Sequence, residues 1–249
     1  MASDPTVCCI MLTKDRPEFA ARAVRCFRAQ TYFNKQLVIV DNGISRFVSA
    51  EFLQIQTIPA SIGKLRNLAC ESTDADIIIH YDDDDYSHPN RLAEQVAFLQ
   101  SSGAAVVGYN QMLFWRSKRK DEVVGATYVT ACGEAWLYTG PAHQPLGTSL
   151  CYWRSTWESH RFDDRKHAGE DSDFLARVGH RRVKSVSSLA DGLCHAGVDS
   201  VPREPRMLAT VHGANTQQKT YDGFFKGGTV EMRRVAEWDD RVRQVLEGA

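Results

Sequence analysis

The stretch "DIIIHYDDDDYSHPN", residues 76–90, runs from an apolar core sequence straight into four consecutive aspartates. Ile77, Ile78 and Ile79 are β-branched and bounded by polar residues, the pattern of a short strand buried on both faces. Asp82 to Asp85 then stand at the carboxyl end of that strand. In an open α/β sheet, ligands bind outside the carboxyl ends of the strands. Four adjacent carboxylates repel one another unless a cation meets them or water surrounds them. Oxygen-only sites suit hard divalent cations such as Mg²⁺ or Mn²⁺, which keep open positions for phosphate oxygens. The competing expectation is a solvated loop in which Asp85 or Asn90 merely caps the following helix.

Outward from this strand, the first half alternates between two periodicities. "VCCIML" (7–12) and "QLVIV" (36–40) read as further buried strands, the second closed by the turn chemistry of Asp41, Asn42 and Gly43. "PEFAARAVRCFRAQ" (17–30) opens with Pro17 and Glu18 and repeats apolar residues at helical spacing. "KLRNLACES" (64–72) predicts a short helix, and "NRLAEQVAFLQSSG" (90–103) an amphipathic one with Gly103 as its C-cap. "AAVVGY" (104–109) predicts a fourth strand. Strand–helix repetition of this kind implies an α/β fold with a mostly parallel sheet flanked by helices. Beyond residue 110 the pattern loosens. "QMLFWRSKRKDEVVGATYV" (111–129) predicts a hairpin with "SKRKDE" at its tip, and "HAGEDSDFLARVGH" (167–180) a helix led by acids. "TVEMRRVAEWDDRVRQVLEG" (229–248) predicts an amphipathic helix with Val235, Trp238, Val242 and Val245 inward. With no repeat and no linker, residues 1–249 are expected to form a single domain. Its nucleotide-type half covers about 1–110 and its more irregular half about 111–249.

A net charge of −1 over 249 residues excludes a global field directed at nucleic acid or an acidic membrane. The opening "MASDPTVCCIMLTKDRP" has no basic region ahead of its short apolar run, so no signal sequence is expected, and no segment reaches membrane-spanning length. None of the seven cysteines forms a C-x-x-C pair, and most lie in apolar segments. Buried thiols in a reducing compartment, the cytoplasm, are the expectation.

Four segments in order resemble glycosyltransferase family 2 of the GT-A fold. "IMLTKDRPEFAARAVRCFRAQTY" with "QLVIVDNG" resembles the family's opening strand, T-x-N-R-P-like turn, helix and V-D-D-G strand end. "IGKLRNLA" (62–69) is similar to its Gly-x-x-x-Arg-Asn segment, "HYDDDDYSHPNRL" to its D-x-D stretch, and "GEDSDFLARVG" (169–179) to its E-D-x-D-L segment. The resemblance runs from about residue 7 to about residue 180. Asp15 replaces the usual asparagine and Asn42 the usual second aspartate. The resemblance implies an inverting, metal-dependent transfer of sugar from a nucleotide-sugar, a UDP-sugar, to an acceptor hydroxyl. Thr13, Asp15, Arg16 and Asp41 would then line the donor site, with Asp15 and Asp41 beside the nucleobase and Arg66 near the nucleotide or its diphosphate. Asp82 would lie near the ribose and Asp84 on the Mn²⁺ or Mg²⁺, with Asp82 also counted as a metal ligand. Asp83 would support the donor site, and Asp85 the run itself. Asp171 matches the family's general base. Glu170 would share that role or hold the acceptor, and Asp173 would be structural. His195 or His212 would complete the metal shell.

Trp136, Tyr138, Trp153 and Trp157 fall in the acceptor half, where aromatic faces can stack on sugars or bases or simply pack the core. "RSKRK" (116–120) reads either as a solvated tip or as a contact to acceptor phosphates, so the acceptor is a glycan or modified DNA. A sugar nucleotidyltransferase would need a Gly-rich phosphate loop after the first strand, and "TKDRPEF" has no glycine. A non-catalytic nucleic-acid-binding module conflicts with the neutral charge and the acidic run.

Overall fold

A computed structural model of the chain describes residues 4–117, 133–189, 204–211 and 231–248. β1 (Val7–Thr13) lies inside the sheet and is apolar nearly throughout. Its side chains alternate between two cores, Val7, Cys9 and Met11 in one, Cys8 and Ile10 in the other. A strand with two apolar faces needs cover on both. α1 (Pro17–Arg28), α2 (Ile62–Glu71) and α3 (Arg91–Ser102) provide much of it. α1 and α3 cover one face through Val24, Phe27, Leu92, Val96 and Leu99. α2 covers the other through Leu65, Ala69 and Cys70, beside Trp157 of α4 (Arg154–His160) and Phe174, Leu175 and Val178 of α5 (Glu170–Val178).

Local chemistry sets these boundaries. Pro17 occupies the first turn of α1, where its missing N–H costs nothing. Ser61 Oγ caps α2 by accepting from the Lys64 amide at 3.3 Å. Gly103 ends α3 in the left-handed region at φ 66°, as the sequence predicted.

β2 (Lys35–Asp41), β3 (Leu53–Gln56) and β4 (Ile77–His80) join β1 in parallel, in the order β4-β1-β2-β3. The short edge strand β3 alternates apolar and polar residues over only four positions, Leu53 to Gln56, too few to mark it in the sequence. After β5 (Tyr86–Ser87), the fourth predicted strand runs further than expected, as β6 (Val106–Ser117). It does not follow β4 directly. β8 (Cys151–Trp153) lies between β4 and β6, antiparallel to both, so the sheet is mixed beyond this point. The expected hairpin exists, but its return strand is β7 (Gly133–Thr139), later than the stretch 111–129. The register has a steric reason. Trp115 lies against Gly133, where a Cβ would sit 2.3 Å from the indole. Lys118, Arg119 and Lys120 of the predicted tip lie outside the described residues.

β9 (Val183–Ser187) and β10 (Met207–Val211) pair with β6 in parallel. The single helix expected over 229–248 is instead β11 (Glu231–Arg234), a 3₁₀ turn, and α6 (Asp239–Gly248). Edge pairing overrides the helical periodicity. β11 pairs with β7, Asp239 accepts from the Ala135 amide at 2.8 Å, and Arg234 pairs with Asp239. Val235 and Val242 face inward as expected, joined by Leu246. Trp157 and Tyr138 are buried, and Trp153 packs against the core. Cys8, Cys9, Cys26, Cys70 and Cys151 are buried free thiols, while Cys132 and Cys194 lie outside the described residues. No described helix is long and apolar enough to cross a membrane.

Candidate active site at the strand ends

Parallel pairing points the carboxyl ends of β1, β2 and β4 the same way, with Thr13 opposite Asp41 across the β1–β2 register. A cleft of about 490 Å³ opens there. Thr13, Arg16 and Arg66 line it together with Asp82, Asp83, Asp84, Asp85, Glu170 and Asp171. Residues as far apart in sequence as Thr13 and Asp171 thus meet around one opening.

The aspartates meet three arginines from three segments. Arg16, in the β1–α1 turn, pairs with Asp83 at 2.7 Å and with Asp84 at 2.8 Å. Arg22, buried in α1, donates to the Asp84 carbonyl at 2.5 Å. Arg66, buried in α2, holds Glu170 at 3.0 Å and stands 3.8 Å from Asp82. Burial alone disfavours the Arg66 charge, but Glu170 and Asp82 outweigh it and raise its pKa further.

The two alternate pairs of the run have different surroundings. Asp83 is 1% exposed and accepts from the Thr13 hydroxyl at 2.7 Å. Burial, with Asp84 and Asp82 adding to it, raises its pKa, and the Arg16 guanidinium and the Thr13 hydroxyl pull it back toward the ionised form. Asp85 accepts from the Thr148 hydroxyl and from the Thr210 amide, the latter at 3.2 Å. Burial and the neighbouring carboxylates push it well up too. Asp82 is the most open of the four, its side chain 31% exposed. Among the described residues no three His, Cys, Asp or Glu side chains form a ready metal cage. Asp82 and Asp84 instead offer two carboxylates at an open cleft. That donor set fits a hard cation whose remaining positions are filled by water or by phosphate oxygens.

Asp15 and Asp41 do not line the cleft. Asp15, at φ 54°, accepts from the Ile44 and Ser45 amides at 2.6 and 2.8 Å, which lower its pKa. Asp41 accepts from the Gly43 amide at 2.9 Å and the Phe47 amide at 3.3 Å. Both therefore shape the loop after β2, whose Asn42 does reach the cleft. Gly43 is required there, since a Cβ would stand 2.4 Å from the Asp15 nitrogen.

Glu170 and Asp171 begin α5, where acids suit the helix N-terminus. Glu170 is buried against Arg66. Asp171 is partly exposed and packs on Gly147, where a Cβ would fall 1.8 Å from Asp171 Oδ2. The Gly147 carbonyl is held by His80 Nδ1 at 2.6 Å, and burial pushes His80 well down, so its imidazole is neutral. Asp173 pairs with Arg177 at 2.8 Å on the surface, the structural role expected of it. His195 and His212 lie outside the described residues.

Lys14, Thr148, His167 and Thr210 also line the cleft, and sequence reasoning did not single them out. Lys14 and His167 adjoin the motifs "TKDRP" and "GED", so proximity was the available signal. Thr148 and Thr210 sit in unremarkable segments, and only pairing brings them to Asp85.

A cleft at parallel strand ends, lined by an acidic run and arginines, on a mixed sheet with helices on both faces, is the arrangement of the GT-A fold. The family model of glycosyl transferase family 2 matches residues 8–124 of the chain. No curated protein matches its sequence. Among solved structures, TarS 1–349 from S. aureus matches with TM-score 0.56 and 14% identity, over 82% of this chain and 60% of that one. The same TarS fragment in complex with UDP-GlcNAc matches with TM-score 0.58 and 13% identity, over 86% and 61%. The mannosyltransferase PcManGT from Pyrobaculum calidifontis, in complex with GDP-Man and Mn²⁺, matches with TM-score 0.53 and 15% identity, over 74% and 55%. The chain thus spans about three fifths of the TarS fragment's length.

Proposed function

We propose that this chain moves a sugar from a nucleoside-diphosphate donor, a UDP-sugar, to an acceptor hydroxyl, with a divalent cation and inversion at the anomeric carbon. The observation that carries the proposal is the cleft in which Asp82, Asp84 and Arg66 stand at the strand ends with Asp171 on the same lining. Nucleotide-sugar complexes of the two similar structures, one with UDP-GlcNAc and one with GDP-Man and Mn²⁺, support it by analogy of fold.

The division of labour follows from the surroundings of each group. Asp82 and Asp84 would hold Mn²⁺ or Mg²⁺, which would supply charge stabilisation for the departing diphosphate. Thr13, Asp83 and Arg16 shape the donor side, and the loop fixed by Asp15 and Asp41 borders the nucleobase. Arg66 is anchored by Glu170, so Glu170 holds its place in the wall through a charge pair. That leaves Asp171 as the base which takes the proton from the acceptor hydroxyl. Among the described residues the other cleft carboxylates are assigned to arginines, threonines or the cation, and a single displacement with Asp171 as base, hence inversion, is the reading.

The acceptor is read as a glycan hydroxyl. A DNA acceptor rests on "RSKRK", whose Lys118, Arg119 and Lys120 lie outside the described residues. Residues 1–249 are read as one domain, and the buried free thiols favour the cytoplasm. Thermal denaturation with UDP, Mn²⁺ and both together tests the reading, because a ligand of the native state alone raises its melting temperature. UDP with Mn²⁺ is expected to stabilise more than the sum of either alone. Asp84→Asn is expected to fold normally and lose that synergy. Equal stabilisation of variant and wild type removes the cation from this site.

A further inference from the structure

We infer that Arg16 is a built-in counter-ion for Asp83 and Asp84 that makes cation binding conditional on the donor diphosphate. The inference rests on the proposed donor site and assigns one residue within it. Arg16 spans two successive carboxylates, Nη2 on Asp83 Oδ1 at 2.7 Å and Nη1 on Asp84 Oδ2 at 2.8 Å. Its side chain is 11% exposed, and Asp83 is fixed from the other side by the Thr13 hydroxyl. A guanidinium held in this way is not a solvated surface partner, whose worth would be small. It is pre-organised by its planar fork, which matches paired carboxylate oxygens.

Arg16 also lines the cleft that Asp82 and Asp84 face. A divalent cation at Asp84 therefore shares its carboxylate with a resident positive charge. Two like-signed partners a few ångströms apart in a partly buried site oppose each other strongly. By itself, the cation is at a disadvantage. A diphosphate changes the balance, because its oxygens supply negative charge to the cation and the guanidinium together. Arg16 thus favours entry of the cation with the nucleotide and disfavours a cation-loaded site that lacks a donor. It acts through Asp84, as a positioning residue.

A merely structural Arg16 makes a different prediction. Its loss would lower stability and weaken the cation, with and without nucleotide, in the same proportion. The two are separated by Mn²⁺ titrations followed through the free-ion electron paramagnetic resonance signal, with and without UDP, on wild type, Arg16→Lys and Arg16→Gln. Arg16→Gln is expected to bind Mn²⁺ alone at least about tenfold more tightly than wild type, as loss of a nearby like charge requires. The enhancement of Mn²⁺ binding by UDP is expected to shrink by a similar factor, with Arg16→Lys in between. Mn²⁺ binding that is unchanged or weaker in Arg16→Gln, while the UDP complex still forms, overturns the role of Arg16 and leaves the donor site standing. Absence of Mn²⁺ binding in every protein, with UDP present, overturns both. Should Arg16→Gln fail to fold, the double variant Arg16→Gln/Asp83→Asn removes one carboxylate together with its counter-ion. The same tightening is then expected at Asp84.

Discussion

Removing Glu170 separates its role from that of its neighbour Asp171. The two are adjacent at the start of α5, yet Glu170 lies 3.0 Å from Arg66 with both side chains almost enclosed, at 5% and 7% exposure. Glu170→Ala would leave the buried guanidinium with Asp82 at 3.8 Å as its remaining charge partner, and its Nη1 already lacks a hydrogen-bond acceptor. Breaking a buried pair by deleting one partner costs about 3–5 kcal/mol, because the other charge stays uncompensated. For a chain of this size each kcal/mol shifts the melting temperature by roughly 2–4 °C, so a fall of about 6–20 °C is expected. Glu170→Gln keeps an acceptor for Arg66 Nε and should lose less. Arg66→Met/Glu170→Leu removes both charges and should recover most of the loss, since an apolar pair of similar volume is often neutral. Circular dichroism melts at neutral pH measure all three. A loss below about 1 kcal/mol in Glu170→Ala, with no recovery in the double variant, would refute a structural ion pair. Glu170 would then be free to act as the base.

Two further outcomes are expected. Asp171→Asn should leave UDP binding and the melting temperature nearly unchanged while cutting transfer by about 10²–10⁴-fold in a donor-turnover assay; normal turnover would remove Asp171 from the base role. Gly147→Ala places a methyl 1.8 Å from the present position of Asp171 Oδ2, and should cut turnover by about 10²-fold, the cost of displacing a reacting group by an ångström, with UDP affinity retained.

The legible parts of this protein are those with local causes. β1 and β4 announced themselves because strands buried on both faces are apolar at every position, and Gly103 because a left-handed cap favours glycine. Asp82 to Asp85 were legible because they follow a strand end, and Glu170 and Asp171, at the start of α5, through the resemblance of their segment. β3 was not, since its alternation runs over only four residues, none of them buried. Nor was β11, whose strand form comes from the open edge of β7 and from the Arg234–Asp239 pair. At the site, the sequence showed the acids but not their counter-ions. Nothing in "AARAVRC" marks Arg22 as the residue that reaches the Asp84 carbonyl, because the helix turn that buries it is set by the sheet beneath. The partners of Asp85, Thr148 and Thr210, likewise come from segments more than sixty residues away.

The run of four aspartates is best understood as two pairs with different duties. The turn after β4 hands Asp83 and Asp85 to protein donors, Thr13 and Arg16 for the first, Thr148 and Thr210 for the second. All four border the cleft, and Asp82 and Asp84 are the pair proposed to serve it as cation ligands. A cation site needs only the cleft pair, so the inner pair requires its own reason. Asp83 supplies one, because it gives Arg16 a second carboxylate. A neutral residue at that position would leave the guanidinium on Asp84 alone, in direct competition with any cation for the same oxygens. With Asp83 present, Arg16 keeps a partner even when Asp84 turns to a metal. Asp85 fixes the far end of the turn to β10 through the Thr210 amide, which sets where Asp84 can point. The charges that look excessive in the sequence therefore divide between holding the turn and serving the cleft. Replacing either inner aspartate should disturb the cation through Asp84 without the variant residue touching it.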